Sequence, residues 1–177
     1  MEKLKQSHHV QVRWHSYELR PEGSPPMSPE YRARIEAGRP QLEAMAREQY
    51  GLALNPGPFG ISSRAALVGA KFAEAQGVGD VYHDAVFRAY WQEAKNIADL
   101  AVLADVATAV GLNRDEFLAA LDNPTYQQEM LGDVQQAFQY GLSGVPALIY
   151  NYKYLVMGAR PYELLAQVAE KASEEAE

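Results

Sequence analysis

"YGLSGVPALIYNYKYLVMGARPYELL", residues 140–165, decides the fold. It opens on a short loop that carries Gly144, Val145 and Pro146. PALIYN follows, short and apolar, and YKYLVMG comes almost at once. Two such runs, rich in branched and aromatic residues and joined by Asn-Tyr-Lys, predict a β-hairpin. RPYELLAQVAEKA then returns to helical spacing, with Arg160-Pro161 at its start. The order is loop, strand, turn, strand, helix.

Working back from Tyr140, the period changes. From about Tyr31 to Tyr140 the chain predicts about six helices and no strand. Ser28-Pro29 marks the entry, with serine as cap and proline in the first turn. Pro40 falls inside the first of these helices and is expected to break or kink it. Gly77 and Gly111 end later helices, and Asn113 with Glu116 resembles a capping box. Upstream of this block, RPEGSPPMSPE holds four prolines and one glycine and predicts a loop. Before it, Val10, Val12 and Trp14 alternate with Gln11, Arg13 and His15, the pattern of a half-buried strand. Residues 1–9 read as the tail of a helix. A strand, a helical block and a strand–strand–helix ending together predict an α+β or α/β fold with a large helical insertion.

Composition narrows the function. The chain has 177 residues and 47% hydrophobic content, enough for a sizeable core. Sixteen basic against 23 acidic residues give a formal charge of −7. There is no basic stripe, so nucleic acid is not an expected partner. No apolar run is long enough to span a bilayer. MEKLKQSHHVQV lacks the apolar core of a secretory signal, and a cytoplasmic location is expected. The sequence contains no cysteine. Disulfides, thiolate metal sites and thiol nucleophiles within the chain are thereby excluded.

Several constellations have plainer readings. His8, His9 and His15 fall close together, but no further ligand spacing supports a metal site, and none is expected. His83 and Asp84 are neighbours on a helix and do not face each other, so acid–base work is not expected of them. YGLSGVP approaches the nucleophile elbow G-x-S-x-G but lacks the last glycine and follows a helix, not a strand. GVGD at Gly77 is too short for a dinucleotide fingerprint. Val81, Ala85, Phe87, Tyr90 and Trp91 recur at helical spacing. The aromatics Phe87, Tyr90 and Trp91 are expected in the bundle core, with an apolar groove as the alternative. Tyr150, Tyr152 and Tyr154 are expected to pack against the helix behind the hairpin, and Arg160 to be solvated.

Four stretches resemble the thioredoxin-fold oxidoreductases of the DsbA family, in its FrnE-like branch. VQVRWHSYELRPE resembles that family's second strand and its exit. SSRAALVGAKFAEAQG and YHDAVFRAYWQEAKNIADLAVLADVATAVGL resemble helices of its inserted domain. GLSGVPALIYNYKYLVMGARPYELL resembles its Gly-Val-Pro loop, hairpin and last helix. The resemblance implies an α/β, thioredoxin-like sheet with a large inserted all-helical domain. It implies a partial thioredoxin-like domain at residues 1–27 and 141–177 and a helical insertion at 28–140. It implies a cis bond before Pro146. It also implies a substrate-binding role for Gly144, Val145 and Pro146, with Val145 offering backbone groups to an extended or unfolded polypeptide.

The departure from the family is as informative. The family's first strand and its Cys-Pro-x-Cys turn have no counterpart here, and MEKLKQSHH resembles the end of the helix that follows them. The true start is expected to lie upstream of Met1. The missing strand would sit between VQVRWHSYEL and PALIYN, so unpaired edges are expected there. A rearranged sheet, or a homodimer through exposed edges, is expected in consequence. The expected function is that of a DsbA-like protein-disulfide oxidoreductase, redox-inactive as this chain because thiol–disulfide exchange needs a thiolate. A non-redox peptide-binding or chaperone-like module is the first alternative. A glutathione-dependent isomerase or transferase of the kappa-like branch is the second. No cofactor is expected.

Overall fold

The computed structural model describes residues 1–21 and 23–175. Its elements in chain order are α1 (Glu2–His8), α2 (Pro29–Tyr50), α3 (Arg64–Ala75), α4 (Gly79–Trp91), α5 (Leu100–Ala109), α6 (Arg114–Leu121), α7 (Pro124–Gln139), β1 (Ala147–Tyr150), β2 (Tyr154–Met157) and α8 (Tyr162–Glu174). They divide into two compact units. One holds Met1–Leu19 and the chain from Gly132 onward; the other holds Arg20–Leu131. One boundary between them falls inside α7.

The helical unit is built by local signals. Ser28 Oγ accepts from the Tyr31 N–H and caps α2. Asn113 Oδ1 accepts from the N–H groups of Asp115 and Glu116, the forward half of a capping box at α6. Asn123 caps α7 by accepting from the Thr125 N–H. The α3 helix packs against α4, α5 and α6. Phe72, Tyr82, Leu103, Phe117 and Met130 are buried in this unit. The Phe72, Phe117 and Tyr126 rings meet edge-on, with centroids 6.2 Å apart for Phe72–Phe117 and 5.6 Å for Phe72–Tyr126. Gly69 is required here. A Cβ at that position would lie 2.6 Å from the Tyr82 hydroxyl and 2.7 Å from the Phe117 ring.

Two expectations are corrected in this unit. The α2 helix runs unbroken through Pro40. Its surroundings are almost entirely exposed, so solvent satisfies the carbonyl that the ring deprives of a donor. On α4 the sequence pattern pointed to the wrong face. Tyr82, Val86 and Ala89 are buried, while Val81, Phe87 and Trp91 are exposed at 57%, 53% and 37%. Several apolar stripes compete on this helix, and tertiary packing selected the one through Tyr82, Val86 and Ala89, leaving Phe87 and Trp91 to line a groove, the alternative weighed from sequence.

The other unit is a hairpin backed by two helices. The two strands pair antiparallel, with Ala147 opposite Met157 and Tyr150 opposite Tyr154. Asn151 and Tyr152 both adopt positive φ, 48° and 58°, and the Lys153 N–H closes the turn on the Tyr150 C=O at 2.9 Å. This is the primed turn that matches strand twist. The α8 helix packs on both strands and on α1. Leu4 of α1 is buried against Ala166 and Ala169, and Val10, Tyr150, Tyr162 and Leu165 pack around them. Tyr150 and Tyr154 are half-buried, whereas Tyr152 is in the turn and 78% exposed, against the expectation that all three pack on the helix. Arg160 stays exposed and donates to the Met157 C=O.

The strand expected at Val10–Trp14 does not form. Among the described residues the sheet has two strands, β1 and β2, and residues 9–18 carry no regular structure. An alternating sequence supplies a strand's faces but not its neighbour, and a strand without a neighbour forms no ladder. Asp133 of α7 holds this segment instead. Its carboxylate takes the Ser16 N–H at 2.8 Å and lies 2.8 Å from His15 Nδ1.

Candidate functional site

The loop between α7 and β1 is set by the helix end before it. Gly141 adopts φ 69°, its N–H donates to the Phe138 C=O, and the Leu142 N–H returns to the Ala137 C=O. This left-handed cap turns the chain sharply away from α7. Tyr17 donates its hydroxyl to the Leu142 C=O at 3.4 Å, which ties the extended N-terminal segment to the start of the loop. The Val145–Pro146 peptide bond is cis. Val145 is 51% exposed and Pro146 is also exposed. Nothing lies within 4 Å of a Cβ built on Gly144, so the approach to the loop is open.

The hydrogen-bond alternation of the hairpin then fixes what β1 offers. The Pro146 C=O accepts from the Gly158 N–H at 2.8 Å. In an antiparallel ladder the bonded pairs alternate, so Leu148 and Tyr150 direct their backbone groups to β2. Ala147 and Ile149 direct theirs to the opposite side, where the described residues supply no strand. Val145 lies just before this strand, across the cis bond. The backbone groups of Ala147 and Ile149 therefore form an edge without a strand neighbour among the described residues, and the exposed Val145 stands next to it.

The two faces of the hairpin also differ. Leu148, Tyr150, Tyr154 and Val156 share the face that meets α8, by register and alternation. The other face carries the cross-strand partners Ile149 and Leu155, exposed at 37% and 47%. The Tyr150 hydroxyl is buried and has no hydrogen-bond partner among the described residues. Burial pushes its phenol above the usual tyrosine range.

Gly144, Val145 and Pro146, the candidates expected from sequence, thus lie together on an open loop that continues into an open edge. Ala147 and Ile149 were not among those candidates, because which backbone groups are free depends on the number of strands. Nor was Asp133, whose only sequence signal is a carboxylate on the α7 helix. The histidines do not converge: His8 meets Ser7 and Glu170, and His15 meets Asp133. His83 stacks on Phe87, with centroids 4.5 Å apart.

Comparison with known proteins gives a consistent result. The family model described as DSBA-like thioredoxin domain matches residues 1–170. YwbO of Bacillus subtilis, an uncharacterized protein, is 31% identical over 147 residues, covering 79% of this chain and 72% of that one. The thiol:disulfide interchange protein DsbA of Azotobacter vinelandii is 32% identical over 81 residues, 46% of this chain and 38% of that protein. Among solved structures, a probable DsbA oxidoreductase from Streptomyces coelicolor superposes with TM-score 0.77 at 27% identity, over 91% of this chain and 74% of that one. A 2-hydroxychromene-2-carboxylate isomerase superposes with TM-score 0.81 at 20% identity, over 99% of this chain and 88% of that one, and so shares the fold alone.

Proposed function

This chain belongs to the DSBA-like thioredoxin domain family, and on that premise we propose that it is the polypeptide-binding part of a FrnE-like, cytoplasmic thiol–disulfide oxidoreductase. The observation that carries the proposal is the exposed Val145 beside the edge of β1 at Ala147 and Ile149, which has no strand neighbour among the described residues. An extended or unfolded polypeptide adds there as a strand. Its backbone supplies affinity and its alternate side chains meet the Ile149–Leu155 face.

Gly144, Val145 and Pro146 are the substrate-binding residues in this reading. Residues 1–27 and 141–177 act as the thioredoxin-like part and 28–140 as the helical insertion. Thiol–disulfide exchange proceeds by attack of a thiolate on a disulfide sulfur, and this chain has no cysteine. These 177 residues supply no thiol for that reaction, so the role proposed for them is binding alone. The family match supports the redox context, and the free edge supports the binding role. Nothing on the chain favours glutathione as substrate. A second copy of the chain is the competing occupant of the same edge.

The test is a titration of the intact chain with a fluorescent, cysteine-free peptide of alternating valine and threonine. Saturable binding is expected. The same peptide N-methylated at alternate amides should fail to bind, because it then offers no N–H to the carbonyls of the edge. Val145→Pro removes one backbone donor and should weaken binding roughly three- to tenfold. Equal binding of the methylated and unmethylated peptides would overturn the proposal. So would disulfide reduction above background by the pure chain.

A further inference from the structure

The exposed face of α4 has no part in the site above. Val81, Asp84, Phe87, Arg88 and Trp91 fall within an arc of about 120° on a helix of 3.6 residues per turn. This arc lies opposite the buried Tyr82, Val86 and Ala89. Leu52 and Leu54 stand beside it and complete a groove of about 380 Å³ with Asp84, Phe87, Arg88, Trp91 and Gln92. The groove is preformed. The Asn55 N–H donates to the Trp91 C=O at 2.7 Å, and the Gly57 N–H to the Tyr90 C=O at 2.7 Å. The Ala94 N–H donates to the Asn55 C=O at 2.9 Å. A Cβ on Gly57 would fall 2.2 Å from the Lys95 C=O, so the segment after the leucines lies tight against the end of α4.

Aromatic and leucine side chains exposed together in a fixed groove mark an interaction surface. Its charges indicate the occupant. Asp84 and Arg88 are one turn apart on this face, and neither is in an ion pair among the described residues. They are complementary to themselves. When two α4 helices cross antiparallel about a two-fold axis midway between Asp84 and Arg88, each Asp84 faces Arg88 of the second copy. The same operation sets Val81 opposite Trp91. A closed, two-fold interface needs this kind of patch, in which each residue's partner lies on the same surface. An apolar peptide would leave both charges unanswered at the groove.

We propose that the α4 face is a homodimer interface, in which the Asp84–Arg88 pair sets the register of two antiparallel helices and Trp91, Phe87 and Val81 supply the apolar contact. It is independent of the strand-accepting edge of β1.

Sedimentation velocity of the full chain over a concentration series tests it. A dimer is expected for the wild type. Asp84→Arg and Arg88→Asp each place like charges opposite one another and should raise the dissociation constant about tenfold or more. Mixing the two single variants restores opposite charges across the interface, so an equimolar mixture should form a heterodimer that neither forms alone. The double variant Asp84→Arg/Arg88→Asp should return to within about threefold of wild type. The substituted side chains are on the surface, and circular dichroism of each variant should match the wild type. Trp91→Glu should give a monomer. A wild type that stays monomeric throughout overturns the proposal. A dimer indifferent to the charge reversals overturns it too, and assigns association to the sheet edge if the alternating peptide then dissociates it. Single variants that fail to associate on mixing also overturn it. A monomer that instead binds an apolar peptide at Trp91 makes the groove a peptide site and overturns it as well.

Discussion

In the helical unit, Leu103, Phe117 and Met130 are completely buried, and every helix supplies its own backbone hydrogen bonds. In the hairpin unit, Ile149 and Leu155 face each other across the strands yet stand 37% and 47% exposed, and one edge of β1 has no neighbour among the described residues. The contrast comes from where each element finds its partners. A helix bonds residue to residue along itself and asks of the rest of the chain only that one stripe be covered. A strand takes its bonds from other strands, and an edge without one keeps its backbone groups unpaired. The first unit is therefore closed, and in the second β1 keeps an edge without a strand neighbour among the described residues.

The largest effect is expected where the closed unit is cut. Phe117→Ala removes a ring packed on Phe72 and Tyr82, and should cost about 3–5 kcal/mol in a denaturant titration. Leu4→Ala should cost about 2–4 kcal/mol, because Leu4 fastens α1 to Ala166 and Ala169 of α8. Its signature should be regional. Hydrogen exchange should quicken in α1, α8 and the hairpin, with α3 and α6 little changed; uniform quickening would blur the comparison. Gly69→Ala comes next. Its methyl meets the Tyr82 hydroxyl and the Phe117 ring at 2.6–2.7 Å, and about 1–3 kcal/mol should be lost in thermal or urea unfolding.

The smallest effect is expected at the end of α8. Glu175 accepts from Lys153 and from the Tyr154 hydroxyl, and these bonds hold its carboxyl below the usual range and raise Lys153 above its own. The sign follows. The Glu175 contribution is present above the unfolded carboxylate value, about 4.3, and is lost as pH falls through the lower folded value. The Lys153 contribution is present below about 10.4 and is lost as pH rises through the higher folded value. Both groups are at the surface, so the change should be a local shift of the Tyr154 ring signals by NMR and not a change in global unfolding. Lys153→Gln should remove only the part of the alkaline change carried by Lys153 and leave the ionisation of the Tyr154 phenol itself in place.

The same contrast sets how much was legible in the sequence. Helix entries and exits were readable because Ser28, Asn113, Gly77 and Gly111 act within a few residues of themselves. The hairpin was readable from PALIYN, YKYLVMG and the short connection between them. Val10–Trp14 misled because its alternation states which faces a strand would have and says nothing about a neighbour. Phe87 and Trp91 misled for a related reason. Helical spacing identifies a stripe, but which stripe is buried depends on α3 and α5, the helices packed against it. The loop at Gly144, Val145 and Pro146 was legible through family resemblance, whereas the free groups of Ala147 and Ile149 follow only from the register.

The measurement that bears most directly on the central claim is residue-resolved amide hydrogen exchange across residues 145–150, with and without the alternating valine–threonine peptide. Before addition, the Leu148 and Tyr150 amides should be protected and those of Val145, Ala147 and Ile149 should exchange quickly. With saturating peptide, the second set should slow and the first should stay as it was. Equal protection of all five amides in the free chain, or no change on adding the peptide, would contradict an open strand-accepting edge.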